Sequence, residues 1–318
     1  MRAEDFVVVS YNVENLFDCR HDSLKNDQEF LPNKGRYWTH KRLWKKLNDV
    51  ARVIHQCGEP LGNEDFHVPD VVVMLEVEND SVMEMLTKRS MLRSLGYRYI
   101  MTCSPDLRGI DVAIMYNPLT FCPDTSFVIT IVPMEGQRPT RDILCVKGHT
   151  RSNTPITIYG LHAPSRRGGE TATQPYRLAV VDSLMNHVVP VADKENFIVA
   201  GDFNDYSYNK SVKMLASALT EVSEGIRGLN YERTGVKGTY FFHENWGSLD
   251  HVFVSPTLQG SVRNCYIFDR KWLLERNALG TFVPFRTYKG PKYNEGVSDH
   301  LPIVMKLDLS GLNPRNKD

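Results

Sequence analysis

The chain has 318 residues, enough to bury a sizeable core, and its 38 Lys and Arg balance 38 Asp and Glu, which excludes a global field that recruits polyanions. Six cysteines, at positions 19, 57, 103, 122, 145 and 265, form no Cys-x-x-Cys pair and are too sparse for a disulfide scaffold, so free thiols are expected and a structural zinc site is not. No apolar run approaches the roughly 20 residues of a membrane helix, and no signal-peptide core precedes the first apolar run, so a soluble monomer is expected.

Phe6 to Tyr11 has the β-branched centre of a buried strand and ends on Asn12-Val13-Glu14-Asn15. Residues 18 to 40 are charged, carry the turn formers Pro32, Asn33 and Gly35, and read as a long surface loop. From Thr39 to Gln56, apolar Leu43, Trp44, Leu47, Val50, Ala51 and Ile54 recur at three and four, the period of an amphipathic helix. Its outer face is assigned Lys41, Arg42, Lys45, Lys46 and Arg52, a solvated surface or a local nucleic-acid contact. Asp70 to Leu75 is a second buried strand, terminating on Glu76. A helix over 80–94 and a strand over 97–101 follow. Gly109 to Tyr116 is another strand, with Asp111 near its start and Tyr116 at its end. Strands near 126–132 and 142–149 complete what reads as a first sheet.

The second half repeats this grammar. Thr154 to Leu161 ends on His162, followed by Ala163-Pro164-Ser165-Arg166-Arg167-Gly168-Gly169 and a helix over 174–187. Phe197 to Ala200 is an apolar run that stops at Gly201-Asp202-Phe203-Asn204-Asp205, where Gly201 is expected to turn the backbone tightly. Residues two apart on an extended backbone share a side, so Asp202 and Asn204 should face one small volume; taken alone, the stretch is equally an Asx turn. A short helix near 211–218 and strands at 238–242 and 249–255 come next. The second of these strands carries Asp250 and His251 on opposite faces. Ser298-Asp299-His300 runs into a terminal strand at 301–307. Two halves that alternate strands with helices imply an α/β (α+β) fold of two sheets packed face to face with helices outside. We expect one domain over residues 1–309 and a polar, disordered tail over 310–318.

The ordered series of Asn12 in NVEN, Glu76, His162 in LHAPS, Asp202 and Asn204 in GDFND, Asp250-His251 and Ser298-Asp299-His300 resembles the endonuclease/exonuclease/phosphatase superfamily. The resemblance spans residues 6 to 308. It implies the four-layered α/β/β/α sandwich of deoxyribonuclease I, with two packed mixed sheets, and a divalent-metal-dependent phosphoesterase.

On this resemblance Asn12, Glu76 and Asp299 hold Mg²⁺, Mn²⁺ or Ca²⁺, hard cations that oxygen ligands suit. Asp202 activates water and Asn204 binds a phosphoryl oxygen or the nucleophile. His300, partnered by Asp250, stabilises the transition state, and His162 is a general acid or a second phosphate contact. Asp111 and Tyr116 are expected near the site. Arg166 and Arg167 have the guanidinium geometry for phosphate, with a solvated basic loop as the alternative. LHAPS looks like the pancreatic deoxyribonuclease branch. Leu75, where nucleases commonly carry Gln, and the Ser-Arg-Arg-Gly-Gly continuation depart from it and leave the metal chemistry intact. Nucleic acid is the first substrate expectation. A small phosphorylated molecule or lipid headgroup, of inositol phosphate or sphingomyelin type, is the second. A catalytically silent scaffold is a third reading, against which Glu76, Asp202 and His300 are all present.

Overall fold

Alternation of apolar strands with amphipathic helices produces two six-stranded sheets in the computed structural model, which describes residues 4–62 and 65–312. In chain order the strands are β1 (Asp5–Leu16), β2 (Val71–Val77), β3 (Arg98–Met101), β4 (Asp111–Tyr116), β5 (Phe121–Ile129), β6 (Ile143–Thr150), β7 (Pro155–His162) and β8 (Phe197–Asp202). Then come β9 (Thr220–Glu221), the hairpin β10 (Tyr240–Phe242) and β11 (Asn245–Gly247), β12 (Asp250–Val254) and β13 (Val262–Ile267). Two small ribbons, β14 (Leu274–Arg276) with β15 (Phe282–Pro284) and β16 (Tyr288–Lys289) with β17 (Lys292–Tyr293), precede β18 (Ile303–Asp308).

The first sheet has the order β13-β18-β1-β2-β4-β3 and the second β5-β6-β7-β8-β12-β9. Each contains one parallel pair, β1 with β2 and β7 with β8, while its other pairs are antiparallel. Parallel neighbours need a crossover, and each pair has its helix: α1 (His40–Gln56) joins β1 to β2 and, beyond the short α2 (Asp80–Glu84), α3 (Glu170–Val188) joins β7 to β8. The two pairs therefore end at matching edges, which is where ligands bind in sheets of this kind.

The faces between the sheets are filled by Val8, Val73, Ile114, Val146, Ile158, Ile198 and Ile303, all essentially buried. Leu43, Leu47, Val50 and Ile54 of α1 cover the outside of the first sheet, and Val181, Leu184 and Val188 of α3 cover the second. Helix, sheet, sheet and helix are thus four layers. No helix among the described residues is long and apolar enough to cross a membrane.

Several expectations are corrected. The strands at Phe121–Ile129 and Ile143–Thr150 belong to the second sheet, and the first is completed by the C-terminal β13 and β18. Gly201 makes no turn. It lies within β8, where an added Cβ would stand 1.9 Å from the carbonyl oxygen of Leu161, so its missing side chain permits a close backbone approach. The helix expected over 80–94 breaks at Ser90, whose hydroxyl accepts from Leu92 N and caps the next short turn. Lys46 is buried; its ammonium donates to Glu14 O, Thr287 Oγ1 and Val297 O at 2.6, 2.6 and 2.8 Å.

The segment 18–40 buries Phe30 and Trp38, with Phe30 stacked on Phe17 at 4.1 Å. Ser310–Leu312 form a short helical turn, and the rest of the expected tail, 313–318, lies outside the described residues. All six cysteines are free.

Candidate active site

Asp202 Oδ2, at the end of β8, is the point on which residues distant in sequence converge. Asn12 Nδ2 donates to it at 3.0 Å, His162 Nε2 stands 3.7 Å away and His300 Nε2 3.9 Å away. The register explains this meeting: His162 and Asp250 both face Asp202 across β8, Asn12 lies opposite Leu75, and Tyr240 bridges His300. Glu76 Oε1 lies 3.8 Å from His162 Nε2. Glu76, His162, Asp202, Asn204, Asp299 and His300 line a cup of about 400 Å³ that also takes in Arg36, Arg108, Arg167 and Arg286.

Asn12 is oriented without ambiguity, because its oxygen accepts from Glu14 N at 3.0 Å while its nitrogen serves the carboxylate. Ser298 Oγ donates to Asn12 O at 2.7 Å and accepts from His300 N, tying the entry of β18 to β1. His300 Nδ1 donates to Asp250 Oδ2 at 2.7 Å, which turns Nε2 into the cup; Thr239 Oγ1 donates to the same oxygen at 2.5 Å. Asn204 N donates to Asp202 Oδ1 at 2.8 Å and Asn204 Nδ2 to Ala163 O at 3.0 Å.

Electrostatics separate the titratable groups. Burial, and then the neighbouring Asp250 charge, push Asp202 up to about 7. Burial works against a charge on His300, but Asp250, Asp202 and Asp299 outweigh it and hold its pKa well above the ordinary histidine value. His162 is driven well below that value by burial, then by Arg141, Arg108 and His300. The surroundings thus favour the charged form of His300 and the neutral form of His162, which, of the two roles expected of His162, suits the phosphate contact better than the general acid.

Four of the nine non-glycine residues with positive φ among those described sit here: Glu14 at 50°, Asn15 at 55°, Glu76 at 63° and Asn204 at 50°. Such a conformation costs on the order of 1–3 kcal/mol each and persists where the surroundings over-determine it. The register of β1 against β2 slips between Asn12 and Leu16, which aims Glu14 and Glu76 off the sheet.

Not all expected residues meet. Tyr116 pairs with Val71 at the far end of β2, because β4 runs antiparallel, roughly 17 Å along the strand from Glu76. It packs on Phe121 and touches no part of the cup. Asp111 is at the correct end, yet its Oδ1 accepts from Thr102 Oγ1, Ser104 N and Ser104 Oγ, so it anchors a loop. Arg167 lines the cup; Arg166 lies beside it, paired with Glu170 and 4.6 Å over the Tyr206 ring. His251 faces away, as expected, bonded to Glu221 and Asp205 O.

Sequence reasoning missed Glu14, Arg36, Arg108, Arg286 and Tyr240. Glu14 is buried, accepts from Thr287 N at 2.7 Å and is pushed up to about 7 by burial and by Asp299. Arg286 Nη2 donates to Asp299 Oδ2 at 2.8 Å and Arg108 Nη2 to Asn15 Oδ1 at 2.6 Å. The signal for Glu14 lay in NVEN itself; the arginines come from loops with no pattern.

The donor set fits a hard divalent cation. Glu76 and Asp299 put carboxylates on the cup wall, with Glu14 against Asp299 and no thiol among the lining residues. Ligand atoms of Asp202, Asp250 and His300 lie within 4.8 Å of one another. Asp250 and His300 already bond each other, and His300 Nε2 stands 3.9 Å from Asp202 Oδ2, a charge contact too long for a hydrogen bond.

A profile of the Endonuclease/Exonuclease/phosphatase family matches residues 7–309. The chain belongs to this family, whose members are hydrolases of phosphoesters. Among solved structures, it resembles an endonuclease/exonuclease/phosphatase family protein from Bacteroides thetaiotaomicron at 17% identity and TM-score 0.61, covering 96% of this chain and 98% of that one. A mannosyl-6-phosphatase from the same organism aligns at 18% identity and TM-score 0.59, over 95% and 99% of the two chains. The human Nocturnin catalytic domain, with bound sulfate, aligns at 16% and 0.58 over 96% and 95%. No curated protein matches the chain. These likenesses support the fold.

Proposed function

We propose that the chain is a divalent-metal-dependent phosphoesterase that hydrolyses phosphodiester bonds of nucleic acid. The observation that carries this reading is the convergence of Asn12, His162 and His300 on Asp202 Oδ2, with Glu76 alongside. Glu76 and Asp299 would hold Mg²⁺ or Mn²⁺, with Asn12 adjoining; the cation neutralises charge on the phosphoryl oxygens when bound. Asp202, partly protonated near neutrality, accepts the proton of the attacking water once ionised, and Asn12 keeps its carboxylate in place. His300 places a fixed positive charge where negative charge develops, and Asp250 keeps that charge and its orientation. Neutral His162 and Asn204 bind phosphoryl oxygens, and the rim arginines draw the anion in.

A second reading, a small phosphoester, is favoured by the partners that most α1 cations already have within the chain, although Lys41, Lys45 and Arg52 stay exposed. Arg42 lies 4.1 Å over Tyr293, Arg52 4.1 Å over Trp272, Lys45 bonds Glu295 O, and Lys46 is buried. An extended polyanion gains little from that face. The test is turnover of duplex DNA, single-stranded DNA, RNA, nucleotides, phosphoinositides, sphingomyelin and sugar phosphates with Mg²⁺, Mn²⁺ or Ca²⁺. Activity on nucleic acid that EDTA abolishes and the cation restores is expected. Undiminished turnover in EDTA, or hydrolysis of sugar phosphates or lipids alone, would overturn the assignment.

A further inference from the structure

A second cavity, of about 620 Å³, opens directly beside the cup and shares Arg167, Asn204, Tyr240 and Leu249 with it. A group that extends from a phosphate held at Asp202 past Asn204 and Tyr240 enters this space. Its walls are aromatic and come from two elements: Tyr206 and Tyr208 from the loop after GDFND, Tyr240 and Phe242 from hairpin β10–β11. Each wall is a pair of neighbouring rings, Tyr206 and Tyr208 tilted by 31° at 5.3 Å, Tyr240 and Phe242 stacked at 6.2 Å and 23°.

The two walls are fixed against each other. A Cβ on Gly247 would stand 2.5 Å from Tyr206 Cε1, so the hairpin backbone lies flat on one face of that ring while Arg166 covers it from 4.6 Å. Tyr240 continues into the cup, its ring 4.8 Å from that of His300. Two rings remain uncovered: Tyr208 is 66% exposed and Phe242 54%. Large rings left in water beside a charged cup mark a surface made for a ligand.

The geometry points to a subsite that stacks one nucleobase next to the scissile phosphate, which makes the substrate a nucleotidyl phosphoester. This rests on the phosphoesterase reading and narrows it. Flat walls on two sides suit a planar π ring, which stacks on aromatic faces whatever its identity. The Arg166–Glu170 pair at the margin offers donors and an acceptor to a base edge.

Calorimetric titration with a nucleoside 5′-monophosphate, with 2-deoxyribose 5-phosphate and with inorganic phosphate tests the subsite, in the full chain and in Phe242→Ala and Tyr208→Ala. Both replaced rings are exposed, so folding is not at stake. The nucleotide is expected to bind about tenfold or more tighter than the sugar phosphate, and each substitution to cut that preference about fivefold or more. Equal binding of the two, tighter binding of the sugar phosphate, or a preference that survives both substitutions overturns the subsite. Binding with base preference but no metal-dependent turnover keeps the subsite and sinks the phosphoesterase; turnover without base preference does the reverse.

Discussion

The carboxylates that the first sheet brings to the cup, Glu76 and Asp299, keep 12% and 19% of their side-chain surface exposed, whereas Asp202 and Asp250 from the second keep 2% and 1%. The strand-end grammar is the same in both halves, but the solvent is not. Carboxylates that water reaches suit a cation that keeps part of its hydration shell. Burial changes the proton affinity of Asp202 instead. Each half is also anchored from behind by a buried cation: Lys46 behind the first, and Arg177, 2.8 Å from Asp205 with both side chains fully buried, behind the second.

The largest expected effect breaks the dry half. Asp202→Asn keeps the volume and the hydrogen bonding to the backbone but removes the base, and the turnover rate should fall by about a thousandfold or more at unchanged thermal stability. A rate within tenfold of the parent chain would remove Asp202 from proton transfer.

Next come the anchors. Arg177→Met strands the Asp205 charge in the core and should lower the stability measured by urea unfolding by about 3–5 kcal/mol. Lys46→Met leaves Glu14 O without its donor, while Thr287 Oγ1 and Val297 O keep their bond to each other at 3.2 Å, so the cost should be about 1–3 kcal/mol for the one acceptor left unpaired. Unfolding midpoints indistinguishable from the parent would show the cations to be incidental.

Lys46 also shows what was legible in the sequence and what was not. It lies three residues after Leu43 and four before Val50, on the apolar stripe, so the spacing pointed inward while its charge argued outward. A lysine survives there only because three oxygens saturate its ammonium, and those oxygens come from residues 14, 287 and 297, which no local pattern connects. The strand ends at Asn12, Glu76, His162, Asp202 and His300 were legible because an apolar run terminating in a polar side chain is a local signal. Sheet membership was not. The chain from β4 to β5 leaves one sheet for the other, and a pairing register is a long-range fact. Tyr116 was misplaced for the same reason, since strand direction decides which end of β4 meets the cup.

A crossed pair of substitutions sharpens the division between the halves. Glu76→Gln should raise the cation concentration needed for half-maximal rate about tenfold or more. Asp250→Asn should act on the pH profile. The parent rate is expected to rise with pH through about 7 as Asp202 ionises and to fall once His300 loses its proton. Removing the Asp250 charge lowers Asp202, because a like charge is gone, and lowers His300, because its partner is gone, so both limbs move to lower pH. If Glu76→Gln moves the limbs and Asp250→Asn moves the cation requirement, the halves have been assigned the wrong way round.

The smallest effect asks whether a dry carboxylate by itself implies chemistry. Asp70 is as buried as Asp202 but sits at the opposite end of the first sheet, where its Oδ2 accepts from Val7 N at 2.6 Å and contacts His67 Nε2 at 2.8 Å. The hydrogen bond to Asp70 raises the His67 pKa against the opposing effect of burial. His67 thus holds its proton more tightly in the folded chain than in the unfolded one. The pair contributes fully below the ordinary histidine pKa, and its contribution is lost as pH rises through the raised folded value. With His67 about a third exposed, His67→Ala should cost less than about 1 kcal/mol in urea unfolding at acidic pH and nothing at alkaline pH, with turnover unchanged. A change in turnover would mean that the far edge of the sheet communicates with the cup, and burial could then no longer be separated from function by position alone.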